Sequence, residues 1–192
     1  MIDWQAKRDT TGVQILLAQA HEQGLDEASV LQGTQILPAQ LEEPMALVAN
    51  WQELQLLRNV QQQWPSISKL ALANAMQYRP QRTGPLGQAM LACETLGEAL
   101  TMAGSYGWLG LSFSSLRTQV SDMSLEIETD SRWVPAECDL FCQIRGPAAI
   151  LQTINDLLDR QGSDKLAAIR IGLQCDKAEV DADLEAFFGC QI

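Results

Sequence analysis

Basic residues and histidines are scarce in this sequence. Its 192 residues include 13 lysines and arginines against 24 aspartates and glutamates, which gives a formal net charge of −11. The basic residues are scattered along the chain and form no cluster. Nucleic-acid binding depends on clustered Lys and Arg that neutralise backbone phosphates. We therefore expect that this chain alone does not bind DNA or RNA.

The single histidine, His21, limits the chemistry that the chain can perform. A serine or cysteine nucleophile needs a nearby base, which is most often histidine. Cys138 and Cys142 lie four residues apart on a predicted helix, but two thiols supply only half the ligands of a structural zinc site. The segment 104–107 lacks the lysine and the spacing of a phosphate-binding loop. We predict no catalytic residues, no metal and no cofactor, and we interpret His21 as a solvated surface residue.

Long apolar runs are also missing. No segment approaches the roughly 20 residues that are needed to span a bilayer, and residues 1–12 lack the apolar core of a signal peptide. Five cysteines without regular spacing favour free thiols in a reducing compartment over a disulfide framework. These absences predict a cytoplasmic protein without membrane contact.

The first half of the chain, residues 1–109, has apolar residues at helical spacing. A first helix is expected from about residue 10 to Gly24, and a short second helix from Asp26 to Gly33. Pro44 suits the first position of a third helix. The apolar stripe predicted for that third helix consists of Leu47, Trp51, Leu54, Leu57 and Val60.

A capping box marks the start of another helix in this half. Thr95 and Glu98 stand three residues apart, so the Thr hydroxyl can accept from the amide of Glu98 while the carboxylate reaches back to the amide of Thr95. The apolar face of this predicted helix consists of Leu96, Ala99, Leu100 and Ala103.

In the second half, residues 110–192, the spacing of the apolar residues changes. Leu125 and Ile127 alternate with Glu126 and Glu128, which predicts a half-buried hairpin that begins near residue 111 and turns at residues 121–122. A long amphipathic helix is expected from Pro135 to about residue 161, followed by a strand at 168–173 and a helix at 180–188.

Gly146-Pro147 interrupts the long helix, and because proline removes one helical hydrogen bond we expect a kink there. The pattern as a whole predicts an α+β fold in which an N-terminal helical layer packs on a small antiparallel sheet, with a long helix in the C-terminal half. We expect residues 1–192 to form one domain, with a helical subregion over 1–109 and an α/β subregion over 110–192.

Aromatic residues at the junction of these subregions are candidates for a ligand site. Tyr106, Trp108 and Phe113 are separated by glycines, and small residues between large rings leave space for a cavity. Ligand pockets are mostly apolar with a few placed polar groups. Alternatively, the rings simply fill the junction between helices and sheet.

Three further residues complete the candidate site. Arg117 or Tyr106 would anchor a carboxylate, and Trp51 and Phe141, on the inward stripes of their helices, would form opposite walls. The alternative of plain core packing applies to these two rings as well.

Several short motifs share their order and spacing with one known family. They are Gly-x-Leu-Gly-x-Ala at 84–89, Thr-Leu-x-Glu-Ala-Leu at 95–100 with a Tyr eight residues after the Glu, Gly-Leu-Asp at 24–26, and Phe-Gly-Cys-Gln-Ile at 188–192. Together they resemble the N-terminal regulatory domain of AraC-type transcriptional regulators, in the mostly helical, arabinose-binding-like subgroup rather than the cupin type. Gln191 stands where that family usually has proline, and Leu184 stands near the position of a missing tyrosine.

The resemblance implies a domain that binds a small cytoplasmic metabolite, pairs as a homodimer and controls a C-terminal helix-turn-helix domain. We expect that DNA-binding domain to lie beyond Ile192 in a longer protein, in preference to a degenerate sensor. Two other readings remain: a ligand-free dimerisation domain, and an enzyme supported only by thiols and acidic clusters.

Overall fold

The computed structural model describes residues 2–43, 45–106, 113–120, 125–161 and 182–188. Within these ranges the strands are β1 (Lys7–Asp9), β2 (Leu47–Ala49), β3 (Ser115–Val120) and β4 (Leu125–Asp130). The helices are α1 (Thr11–Glu22), α2 (Glu27–Leu31), α3 (Pro38–Leu41), α4 (Asn50–Gln63), α5 (Ile67–Ala75), α6 (Gly84–Ala92), α7 (Leu96–Tyr106), α8 (Ala136–Gln161) and α9 (Ala182–Phe188). A 3-10 turn, Pro80–Arg82, precedes α6.

The first two helices begin and end close to the predicted residues. A carboxylate oxygen of Asp9 accepts from the amide of Thr11, 2.9 Å away, at the start of α1. Gly24 follows the helix with φ +74, in the left-handed region that favours glycine. Asp26 then caps α2 by accepting from the amide of Ser29 at 2.9 Å.

The helix predicted from Pro44 begins later than expected, at Asn50. Residues 47–49 form β2 instead, which pairs antiparallel with β1 in the register Arg8↔Val48. The sequence predicts Leu47 on the apolar stripe of this helix, but it lies on the strand and is 49% exposed. Three residues are too few to separate a strand from the start of a helix by periodicity. The rest of α4 follows the prediction, because Leu54, Leu57 and Val60 are buried.

The capping box of α7 and the predicted hairpin are both confirmed. The hydroxyl of Thr95 accepts from the amide of Glu98, and the Glu98 carboxylate accepts from the amide of Thr95, each at 3.2 Å. Strands β3 and β4 pair antiparallel, with Thr118 opposite Ile127. Phe113 precedes β3 by two residues, whereas residues 121–122, the predicted turn, lie outside the described residues.

Helix α8 extends for 26 residues and contains Pro147 in its interior. It packs mainly against α5 and also contacts α4, α7 and β4, so it connects most of the molecule. Helix α9 packs on α5. The strand predicted at 168–173 lies outside the described residues.

The principal core lies between α1, α4, α5 and α8, with Leu184 and Phe188 of α9 also buried in it. A smaller cluster joins α6, α7 and the C-terminal part of α8 through Leu86, Met90, Ala103 and Leu157. The fold is therefore α+β and mostly helical, with small antiparallel sheets and a long helix in the C-terminal half, as predicted. Among the described helices, none is both long enough and apolar enough to cross a membrane.

Candidate functional site

A carboxylate is buried in the middle of the helical core. Glu53 lies on α4 and is 2% exposed. It approaches the first turn of α1 at Gly12, where a Cβ atom would lie 2.7 Å from Cδ of Glu53 and still closer to one of its oxygens. The missing side chain of Gly12 therefore makes room for the carboxylate.

Arg8 faces this carboxylate from β1. Its Nη1 atom lies 3.9 Å from Oε2 of Glu53, and the two side chains are 16% and 3% exposed. That separation is too long for a hydrogen bond. Both atoms are buried, and neither has a hydrogen-bond partner among the described residues. Arg8 and Glu53 thus face each other without a direct hydrogen bond.

A second guanidinium approaches from α8. Arg145 is buried, and its Cζ atom lies 5.0 Å from the ring centroid of Tyr78 and 5.8 Å from that of Phe141. Cation–π contacts of this kind stabilise a desolvated arginine.

Burial and charge compete at Glu53. Burial raises the pKa of this carboxyl above its usual value, while the positive charges of Arg8 and Arg145 act to lower it. Burial also raises the pKa of Tyr78 to about 12, so its hydroxyl stays protonated at neutral pH.

Phe113 completes the surroundings of Arg8. The Cζ atom of Arg8 lies 4.9 Å from the Phe113 ring centroid, and the indole of Trp4 lies 5.8 Å from the same ring. We call Arg8, Glu53 and Arg145 the charged cluster. Three aromatic rings adjoin it, those of Phe113, Tyr78 and Phe141.

The charged cluster brings together two of the six residues proposed from sequence. Phe113 and Phe141 are both buried, and each lies against a guanidinium of the cluster. Arg117 is exposed on β3. Trp51 is half-buried on α4, where its amide donates to the carbonyl of Trp4 at 3.1 Å. Trp108 lies outside the described residues.

Tyr106 lies in a different place, at the end of α7, and is 51% exposed. It borders a shallow depression on the outer face of that helix. The residues that line the depression are Gly97, Glu98, Thr101, Met102, Ser105 and Tyr106. Because all of them belong to one helix, this depression is an open surface rather than an enclosed cavity.

One feature of the sequence indicates the charged cluster, although it matches no known motif. Glu53 precedes Leu56, Leu57 and Val60 by three, four and seven residues, so it shares their buried helix face. A charged residue on such a face is unusual and needs a partner. The partner Arg8 is far away in sequence, and only the β1–β2 pairing brings it near α4.

The chemistry of the cluster is that of a hydrogen-bonding site. It offers a buried donor on Arg8 and a buried acceptor on Glu53 beside the ring of Phe113. In the described part of the chain, no three His, Cys, Asp or Glu side chains are grouped so as to hold a metal ion.

Comparison with known proteins identifies the family of this chain. Residues 24–192 match the family described as the arabinose-binding domain of AraC transcription regulators, N-terminal. Two HTH-type transcriptional regulators, from Mycobacterium bovis and Mycobacterium tuberculosis, are each 27% identical over 149 residues. The alignment covers 78% of this chain and 43% of each relative, so the chain spans less than half of their length. No solved structure matches the chain. The chain therefore belongs to the family of N-terminal arabinose-binding domains of AraC-type transcription regulators.

Proposed function

We propose that this domain senses a small cytoplasmic metabolite and transmits its presence to a DNA-binding domain of the same regulator. Membership of the family supports a regulatory role, and the relatives are named as HTH-type transcriptional regulators. The formal charge of −11 fits a division of labour in which another part of the protein contacts DNA.

The charged cluster is the observation that carries this proposal. Burying charge is unfavourable unless every charge is paired and hydrogen-bonded, and apolar residues would stabilise a purely structural core at least as well. Here Glu53 is buried and Arg8 is partly buried, and there is no hydrogen bond between them. A ligand that supplied those hydrogen bonds would favour the binding-competent conformation.

The position of the cluster explains how binding would be transmitted. Its three charged residues belong to β1, α4 and α8, and α8 in turn contacts α5, α7 and β4. A ligand shifts a conformational equilibrium only as far as it binds one conformation better than the other. A ligand bound to all three elements would therefore favour one arrangement of the helical layer.

We also propose that the domain pairs as a homodimer, as the family resemblance implies. A ligand-free dimerisation domain is the alternative function. The packing of Phe113 favours it, because this ring is already buried between Trp4 and Arg8.

A thermal-shift screen of the 192-residue chain against amino acids, aromatic acids, fatty acids and sugars tests sensing. A ligand at about one hundred times its Kd adds about 2.7 kcal/mol, which raises Tm by roughly 5–10 °C for a domain of this size. Silence across the whole panel, together with a stable dimer, would support the alternative of a ligand-free dimerisation domain.

A further inference from the structure

We infer that two copies of this chain pair through the outer face of α7, with the two α7 helices antiparallel across a two-fold axis. This inference rests on the proposed homodimer and specifies its interface. The residues that line this surface, which we call the α7 face, are Gly97, Glu98, Thr101, Met102, Ser105 and Tyr106.

The α7 face is a surface with exposed apolar side chains. The opposite side of the helix is buried through Ala99, Leu100 and Ala103. On the α7 face, Tyr106 is 51% exposed, and Met102, one turn earlier, is half-buried. Large apolar side chains that lie together on a surface often mark a contact with another protein.

The low charge of the α7 face favours a contact between two copies. The formal net charge of the chain is −11, so two copies repel each other unless they meet at a surface with few charges. Glu98 is the only charged residue of α7. A contact through this helix therefore brings only two charges to the interface, one from each copy.

The positions of Glu98 and Tyr106 select the antiparallel direction. They lie eight residues apart, which is about 12 Å along the helix axis. In an antiparallel pair, the Tyr106 hydroxyl of each copy lies beside the Glu98 carboxylate of the other and can donate a hydrogen bond to it. Oε1 of Glu98 is the acceptor, since the bonds to the backbone amides of the preceding turn use Oε2. A parallel pair would bring the two carboxylates together instead.

The remaining residues of the α7 face suit the same symmetry. In a two-fold pair, each contact between unlike residues occurs twice, and residues near the axis meet their own copies. Here Thr101 and Met102 lie near the axis, and Gly97 lies opposite Ser105 of the second copy. Small side chains thus meet small side chains, which lets the two helices approach closely.

Sedimentation equilibrium of the 192-residue chain measures the dissociation constant of the dimer. Thr101→Glu places two carboxylates close together at the axis, so it should raise this constant by about tenfold or more. The matched control is Gln62→Glu, which makes the same change of charge at an exposed position on α4. It should leave the constant nearly unchanged. Circular dichroism establishes that both variants fold.

Cysteine cross-linking tests the register independently. The background replaces three of the five cysteines by serine: Cys93, Cys175 and Cys190. Thr101→Cys should form a disulfide with its own copy, because a disulfide needs Cα atoms within about 7 Å of each other. Ser105→Cys should not, since its two copies lie about 10 Å apart along the helix axis. When mixed with Gly97→Cys, however, it should form the disulfide.

Three results would overturn the inference. They are equal dissociation constants for Thr101→Glu and Gln62→Glu, a dimer that Leu37→Glu disrupts and Thr101→Glu does not, and cross-linking of Ser105→Cys to itself rather than to Gly97→Cys. In each case the chain still pairs, so the proposed homodimer stands with a different interface. A chain that stays monomeric at every concentration would overturn the homodimer as well, while the metabolite screen still decides sensing.

Discussion

Gly12 and Gly146 both lie inside helices, but only Gly146 has room for a larger side chain. A Cβ on Gly12 would collide with the Glu53 carboxylate, whereas one on Gly146 would lie 3.6 Å from Cγ2 of Thr129, in ordinary contact. We expect Gly12→Ala to lower the free energy of unfolding by about 1–3 kcal/mol, because it forces Glu53 out of place. Urea denaturation measures the change.

The matched control is Gly146→Ala. It should raise stability by about 0.4–1 kcal/mol, since alanine restricts the unfolded chain and suits a helix. If the Gly12→Ala variant were as stable as the Gly146→Ala variant, Glu53 could not pack as closely against Gly12 as described.

Two buried thiols on α8 make stability depend on pH. Burial raises the pKa of Cys138 to about 12 and that of Cys142 to about 11, from an ordinary value of 9.0. The folded protein holds these protons more tightly than the unfolded chain does. The two thiols therefore contribute fully to the free energy of unfolding below about pH 9, and this contribution is lost as the pH rises further. We predict that the free energy of unfolding falls by about 2 kcal/mol or more between pH 9 and 11.

The double variant Cys138→Ala/Cys142→Ala tests this assignment. Its stability at pH 7 gives the cost of the lost packing, and its decline from pH 9 to 11 should be shallower than that of the unmodified protein. If the stability of both proteins declined equally from pH 9 to 11, the two thiols would not be the cause of the pH dependence.

At the residue scale, the sequence indicates aromatic residues of the site but not its charged residues. The sequence predicts Phe113 and Phe141 as site residues because aromatic residues often line pockets, and both adjoin the charged cluster. Glu53 and Arg145 match no motif, so the sequence alone does not place them in the site. Their roles in the charged cluster depend on β1, α4 and α8 lying close together, which no local sequence pattern predicts.

Helix α7 is the element whose start was most clearly predicted. Its capping box forms as expected, with two reciprocal bonds between Thr95 and Glu98. We predict that Thr95→Ala lowers stability by about 0.5–2 kcal/mol, since the amide of Glu98 loses its partner. Thermal denaturation monitored by circular dichroism measures the effect.

Thr101→Ala is the control on the same helix. Thr101 is exposed, and its hydroxyl donates to the carbonyl of Gly97 at 2.8 Å. Alanine has the higher helix propensity, so this change should be neutral or slightly stabilising. Equal losses in the two variants would contradict the assigned cap.

Helix α8 contains a proline that the fold tolerates. Pro147 has no backbone N–H to donate to the carbonyl of Gln143, four residues earlier. We expect Pro147→Ala to raise the free energy of unfolding by about 1–2 kcal/mol, after allowance for the greater freedom of the unfolded chain. Pro135→Ala, ahead of the helix, should bring no such gain. A loss of stability in Pro147→Ala would show that the proline has a packing role.

Elements with a strong local signal were predicted, and elements that depend on a distant partner were not. The capped helix, the β3–β4 hairpin and the long α8 each follow from periodicity or capping residues. Strand β2 has three residues and exists because it pairs with β1, some forty residues earlier. The kink expected at Gly146-Pro147 stays a prediction.

At the scale of the whole molecule, the account predicts an acidic dimer that leaves DNA to another domain. Light scattering after size exclusion should give about twice the chain mass of 21.1 kDa. The same sample should show no binding to duplex DNA at physiological salt, because its charge is −11. A stable monomer would contradict the proposed pairing, and tight DNA binding would contradict the division of labour.

The most direct test of the central claim is a crystal structure of the domain bound to the strongest ligand from the metabolite screen. The account predicts that the bound ligand contacts Arg8 or Glu53 of the charged cluster. A ligand bound on the outer face of α7 beside Tyr106, with the charged cluster unchanged, would contradict it.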